Sequence, residues 1–66
     1  MTLIDIKNNE KSVVELYLSN DKTLIKEIKC LTNNRCKEYQ YPVVDFLQNT
    51  EVSRTLKNKI AIAMAN

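Results

Sequence analysis

Residues 42–65, PVVDFLQNTEVSRTLKNKIAIAMA, contain the only proline and the only phenylalanine of the chain and its clearest helical periodicity. Its periodicity predicts two helices separated by a break at Asn49 and Thr50. Pro42 suits a first helical turn, where its missing N–H needs no partner. We expect Asn49 or Thr50 to cap the second helix, with Glu51 in its first turn.

Apolar residues recur at helical spacing on one side of each predicted helix. In the first helix they are Val43, Val44, Phe46 and Leu47. In the second they are Val52, Leu56, Ile60, Ala63 and Met64. We therefore expect the rest of the chain to pack against these two stripes.

Two further helices are predicted upstream. Ser12 and Glu15 have the spacing of a capping box directly before an apolar run, which predicts a first helix that ends near Ser19. Residues 21–32 keep apolar side chains at helical spacing, with Leu24, Ile25, Ile28 and Leu31 on one face. Residues 2–7 form a short strand or an extended arm, and residues 33–41 a loop. The prediction is an all-α fold, with residues 1–66 as one small domain of about four short helices after an extended N-terminal segment.

The polar breaks along the chain permit an alternative fold. Asn8-Asn9, Asn20-Asp21 and Asn33-Asn34 lie at nearly even intervals and could each be a hairpin turn. The chain would then be an α+β protein, an antiparallel β-meander of three to four strands followed by a C-terminal helix.

The composition argues against catalysis. The chain has no glycine and no histidine, which excludes glycine-rich phosphate-binding loops and removes the commonest general base and metal ligand. The absence of glycine also counts against two-residue hairpin turns. The carboxylates fall on different predicted elements with no legible pair. We expect no enzyme activity, no catalytic residues, no metal site and no cofactor.

The two cysteines and the N-terminal residues bear on the environment of the chain. Cys30 and Cys36 match no common zinc spacing, and the simplest interpretation of Cys30 is a small buried apolar residue on a helix; a Cys30–Cys36 bridge is the alternative. No secretory signal or apolar run of about 20 residues is visible. We expect a cytoplasmic protein that does not enter a membrane.

The charges are unevenly distributed although the net charge is only +2. Residues 1–21 carry a balance of −2 and residues 22–41 a balance of +3. Positive side chains and two tyrosines of the middle region form the candidate site for a protein partner: Lys22, Lys26, Lys29, Arg35, Lys37, Tyr39 and Tyr41. Tyrosine and arginine are enriched at interface hot spots. A solvated helix face and tyrosines buried in the core are the simpler alternatives.

These features lead to a first functional hypothesis. A small chain with a split charge and no catalytic groups suits a non-enzymatic protein-binding module. We expect an inhibitor or adaptor of the kind that phages and mobile elements use, bound to an acidic surface of a host protein or defence complex. A homodimer is compatible with this hypothesis, because 44% of the residues are apolar.

The second hypothesis is a small DNA-binding regulator. The run Val52-Ser53-Arg54-Thr55-Leu56 resembles the recognition helix of the lactose-repressor-type regulators. That resemblance implies a helix-turn-helix that reads DNA through the polar face of the last helix. The candidate DNA-binding residues are Ser53, Arg54, Lys57 and Asn58. An ordinary solvated helix face is the alternative.

Overall fold

A computed structural model describes all residues from Met1 to Asn66. Four strands precede two helices. The strands are β1 (Thr2–Asn8), β2 (Ser12–Leu18), β3 (Leu24–Leu31) and β4 (Cys36–Pro42), and the helices are α1 (Val43–Gln48) and α2 (Arg54–Ala65). The strands form one antiparallel sheet in the order β1-β2-β3-β4. Both helices fall short of the length and apolar character that a membrane-spanning helix needs.

The all-α prediction is therefore wrong, and the alternative α+β meander fits the structure. Residues 12–19 and 21–32, predicted as helices, contain the whole of β2 and β3, and much of the predicted loop 33–41 belongs to β4. The capping-box residues have other partners: the Ser12 hydroxyl donates to Asn9 Oδ1, and the Glu15 carboxylate accepts from the Tyr17 hydroxyl. These segments pair with neighbouring strands despite their local helical pattern, because tertiary contacts commonly outweigh local preference.

The helix interpretation of residues 21–32 depended on charged residues that a strand places among apolar ones. In the sheet, Glu27 shares a face with Ile25, and Lys26 shares the opposite face with Ile28. Both charges are tolerated because only Ile25 of β3 is fully buried. A strand of which one residue alone enters the core does not need clean alternation.

The hairpins are made without glycine. Their loops span residues 9–11, 19–23 and 32–35, so none is a two-residue turn. Lys22 and Asn34 take the left-handed conformation that glycine usually supplies, with φ of 63° and 66°. Asn9 and Asp21 hold their loops through side-chain oxygens that accept hydrogen bonds from neighbouring residues.

Both C-terminal helices exist at the predicted places, with corrections at their ends. Pro42 precedes α1 at the N-cap position. The N-cap of α2 is Ser53, whose Oγ accepts from the Leu56 N–H, so neither Asn49 nor Thr50 caps this helix. Glu51 lies before α2 and not in its first turn.

The core lies between the sheet and the two helices. Strands β1 and β2 contact α2, whereas β3 and β4 contact α1. The buried core residues are Leu16, Leu18, Ile25, Val43, Ile60 and Ala63, with Ile4, Phe46, Leu47, Leu56 and Met64 packed against them. Val44 was predicted on the apolar side of α1 and is instead 62% exposed.

The two cysteines lie directly opposite each other at the end of the β3–β4 hairpin. They form a disulfide bond with a Cα–Cα distance of 4.0 Å. Cys30 is thus a half-buried strand residue in a bridge, and its interpretation as a buried free cysteine on a helix is wrong.

Candidate functional site

The helices cover only one end of the sheet, and the uncovered end of the same face is basic. Side chains there line a shallow cavity of about 260 Å³: Lys29, Leu31, Arg35, Lys37 and Tyr39. We call these five residues the basic surface. Four of them belong to the predicted protein-binding set, so the meander brings together residues that two separate predicted elements contained.

The cations of the basic surface have no acidic partners. Lys29 and Lys37 are directly opposite each other on β3 and β4. The two ion pairs of the protein are elsewhere, at Lys26–Glu38 and Lys59–Asp5. Like charges directly opposite each other on neighbouring strands destabilise the fold through repulsion. An anionic partner would relieve this repulsion between Lys29 and Lys37.

The basic surface also exposes apolar area. Leu31 is 42% exposed and Tyr39 is 40% exposed. A tyrosine and an arginine beside an exposed leucine provide both contact area and hydrogen-bond donors. This mixture can bind an anionic surface that also has apolar groups.

Two lysines that the sequence did not single out extend the positive charge. Lys7 pairs with Val14, which pairs with Lys29, so Lys7, Lys29 and Lys37 lie in one row across the sheet. Lys11 lies in the first hairpin loop and lines an adjoining cavity with Lys29 and Leu31. The backbone joins the two hairpin tips, because the Thr32 N–H donates to the Lys11 carbonyl at 3.2 Å.

Three members of the predicted protein-binding set lie away from the basic surface. Lys22 donates from Nζ to the carbonyls of Met64 and Asn66, at 2.9 and 2.7 Å, and so caps the C-terminal end of α2. Lys26 is on the opposite face of the sheet, 3.8 Å from Glu38. Tyr41 is half-buried against Phe46, with ring centroids 5.7 Å apart.

The predicted DNA-binding residues lie on and next to α2. Ser53 is the helix cap, Lys57 is half-buried, and Arg54 and Asn58 are exposed. Both α1 and α2 lie against the sheet. DNA binding by these residues stays a prediction.

A second groove, of about 350 Å³, lies beside α1 and carries the opposite charge. Its carboxylates are Glu27, Asp45 and Glu51, and Tyr41 and Phe46 form part of its wall. Burial raises the pKa of the Tyr41 hydroxyl, and the negative charge of Glu27 raises it further. We call this the acidic groove; it meets the basic surface along β3 and β4.

Of the missed residues, Leu31 could have been found from the strand pattern. On the meander alternative, every second residue of a strand shares a face, which places Lys29 and Leu31 together. The addition of Lys7 requires the register of three strands, because its neighbours in the row are on β2 and β3. No short motif in the sequence encodes that register.

Comparisons with protein-family models, with curated proteins and with solved structures find no significant match to the chain.

Proposed function

We propose that the protein is a non-enzymatic protein-binding module, of the inhibitor or adaptor kind, that docks its basic surface on an acidic surface of a partner protein. The observation that carries the proposal is the unpaired row of Lys7, Lys29 and Lys37 beside the exposed Arg35 and Tyr39. Binding would neutralise charges that oppose each other in the free protein.

A protein partner is favoured over nucleic acid by the surroundings of the basic surface. Glu10 lies in the loop with Lys11, and Glu27 lies on β3 in the row next to Lys29. Single-stranded nucleic acids bind on several aromatic side chains along a positive groove, and this surface has only Tyr39. The net charge of +2 is also small for binding a polyanion.

The experiment is an affinity capture from a lysate of the native host, with and without nuclease, using three forms of the tagged protein. These are the wild type, Lys29→Glu/Lys37→Glu on the basic surface, and Arg54→Ala/Lys57→Ala on α2. We expect the wild type to capture one partner protein in stoichiometric amount, with or without nuclease. The α2 variant should still capture this partner, and the basic-surface variant should not. Circular dichroism and thermal melting of each variant show that the fold is intact.

Two results would contradict the proposal. A partner retained by Lys29→Glu/Lys37→Glu would place binding elsewhere. Recovery of DNA that the Arg54→Ala/Lys57→Ala variant alone fails to capture would instead support a DNA-binding α2, and its affinity should then fall steeply with salt.

A further inference from the structure

The two edges of the sheet differ in how they are protected from pairing. Strand β1 has a register shift between Leu3 and Asp5, and Asp5 is tied to Lys59 of α2. Strand β4 keeps an unbroken register with β3 from Pro42 to Cys36, and six of its seven residues are exposed. Bulges blunt an edge, whereas a regular exposed edge is a template for another strand.

The hydrogen bonds at both ends of the β3–β4 ladder fix which backbone groups of β4 face outward. The Leu31 N–H donates to the Arg35 backbone carbonyl, and the Val43 N–H donates to the Thr23 backbone carbonyl. Because hydrogen-bonded and non-hydrogen-bonded pairs alternate in an antiparallel ladder, the backbone groups of Glu38 and Gln40 point to the free edge. Pro42, which has no N–H to offer, takes another outward position.

The charge at one end of this edge is opposite to the charge at the other end, so two antiparallel copies of the edge are electrostatically complementary. Lys37 and the basic surface lie at one end of β4, and Tyr41 and the acidic groove lie at the other. A strand that runs antiparallel to β4 with the same sequence therefore brings its acidic groove to the basic end. Two-fold symmetry repeats the contact at the other end.

We propose that a second copy of this chain pairs antiparallel with β4, with the two-fold axis at Tyr39, to form a continuous eight-stranded sheet. Glu38 of one copy lies opposite Gln40 of the other, and these outward-facing residues exchange two backbone hydrogen bonds on each side of the axis. The two Tyr39 side chains meet at the closely spaced central pair. Lys37 lies opposite Tyr41 of the second copy, beside Asp45 and Glu51 of its acidic groove.

This inference goes beyond the proposed function because it concerns the chain alone. Lys37 and Tyr39 belong to both surfaces, so a second copy and an acidic partner protein compete for them. Failure of either proposal leaves the other intact, because the dimer is measured on purified protein without any partner.

The test is sedimentation equilibrium of the purified, oxidised protein over a range of concentrations at low and high salt. We expect the mass to approach twice 7.7 kDa at high concentration, and the dimer to weaken as salt screens the charge contacts. Lys37→Glu should raise the dimer dissociation constant by about tenfold or more. Adding Glu51→Lys to that variant should restore dimerisation, because it exchanges the two charges across the interface.

Gln40→Pro tests the backbone contact. The substitution removes an outward N–H and leaves the ladder with β3 intact, so the variant should remain folded by circular dichroism and be monomeric. Lys7→Glu, at the other edge of the sheet, is the matched charge-reversal control for Lys37→Glu and should leave the dimer unchanged. A protein that is monomeric at all concentrations in low salt overturns the proposal, as does a dimer that persists in Gln40→Pro.

Discussion

Lys29 and Lys37 stand directly opposite each other on β3 and β4, and neither forms an ion pair. Lys29→Glu would place opposite charges at this position. We expect the free energy of unfolding to rise by about 0.2–1 kcal/mol, while binding to an acidic partner weakens. Urea denaturation of dilute protein measures the stability.

A charge cycle provides the control for this prediction. Lys29→Glu/Lys37→Glu again places like charges opposite each other and should return the stability towards that of the wild type. If the double variant is as stable as Lys29→Glu alone, the lysine pair does not oppose folding.

The disulfide closes the β3–β4 hairpin next to the basic surface. By the chain-entropy account, a bridge across so short a loop contributes about 2 kcal/mol. Cys30→Ser/Cys36→Ser should lower the free energy of unfolding by this amount in urea denaturation. Reductant should lower the stability of the wild type but not that of the variant. Equal stability of the wild type with and without reductant would contradict the prediction.

The ion pair between Asp5 and Lys59 predicts a specific dependence of stability on pH. The hydrogen bond from Lys59 lowers the pKa of the Asp5 carboxyl, aided by the lysine charge and opposed by partial desolvation. Because the folded-state pKa lies below the unfolded value of about 4, Asp5 stabilises the fold above that pH. The contribution is lost as the pH falls through the folded-state pKa.

Asp5→Asn should therefore lose less stability than the wild type between pH 7 and pH 2, and Lys59→Met should behave similarly. Hydrogen bonds from Ser19 and Thr23 also lower the pKa of Asp21, so Asp5→Asn/Asp21→Asn should have the flattest profile. Urea denaturation across this pH range gives the comparison. A wild type and Asp5→Asn that lose stability in parallel would show that the pair has no effect.

Two isoleucines on α2 differ greatly in burial and give a matched comparison. Ile60 is fully buried, whereas Ile62 is 64% exposed. Ile60→Ala should cost about 2–5 kcal/mol, which is comparable to the whole stability of a domain of this size. Ile62→Ala should change little, and thermal melting distinguishes the two. Similar losses for both variants would mean that α2 is not docked through Ile60.

The C-terminal helices could be predicted from the sequence because their pattern is local. Leu56, Ile60 and Ala63 lie one helical turn apart, and all three contact the core. A stripe of this kind is complete within one segment of chain. The N-terminal end of α2 was misplaced, since Asn49, Thr50 and Ser53 all offer a capping oxygen and local pattern alone does not choose among them.

The strands could not be distinguished from helices in the same way, because a strand is stabilised by pairing with residues that are distant in sequence. Residues 12–18 have apolar side chains on both faces of β2, which also suits a broad helical arc. What separates the two structures is the contact of Leu18 with Ile25 across the β2–β3 ladder and the cover that Ile60 provides. The basic surface follows the same rule: its lysines come from separate strands, and only the register brings them together.

The order of the elements along the chain has a consequence for biosynthesis. Every strand pairs with the one made just before it, so the sheet can form hairpin by hairpin as the chain leaves the ribosome. The helix that covers β1 and β2 is made after all four strands and α1, and its ion pair with Asp5 spans 54 positions. Leu16 and Leu18 therefore face water until α2 has emerged, which makes the nascent sheet the stage most exposed to aggregation and to capture by chaperones.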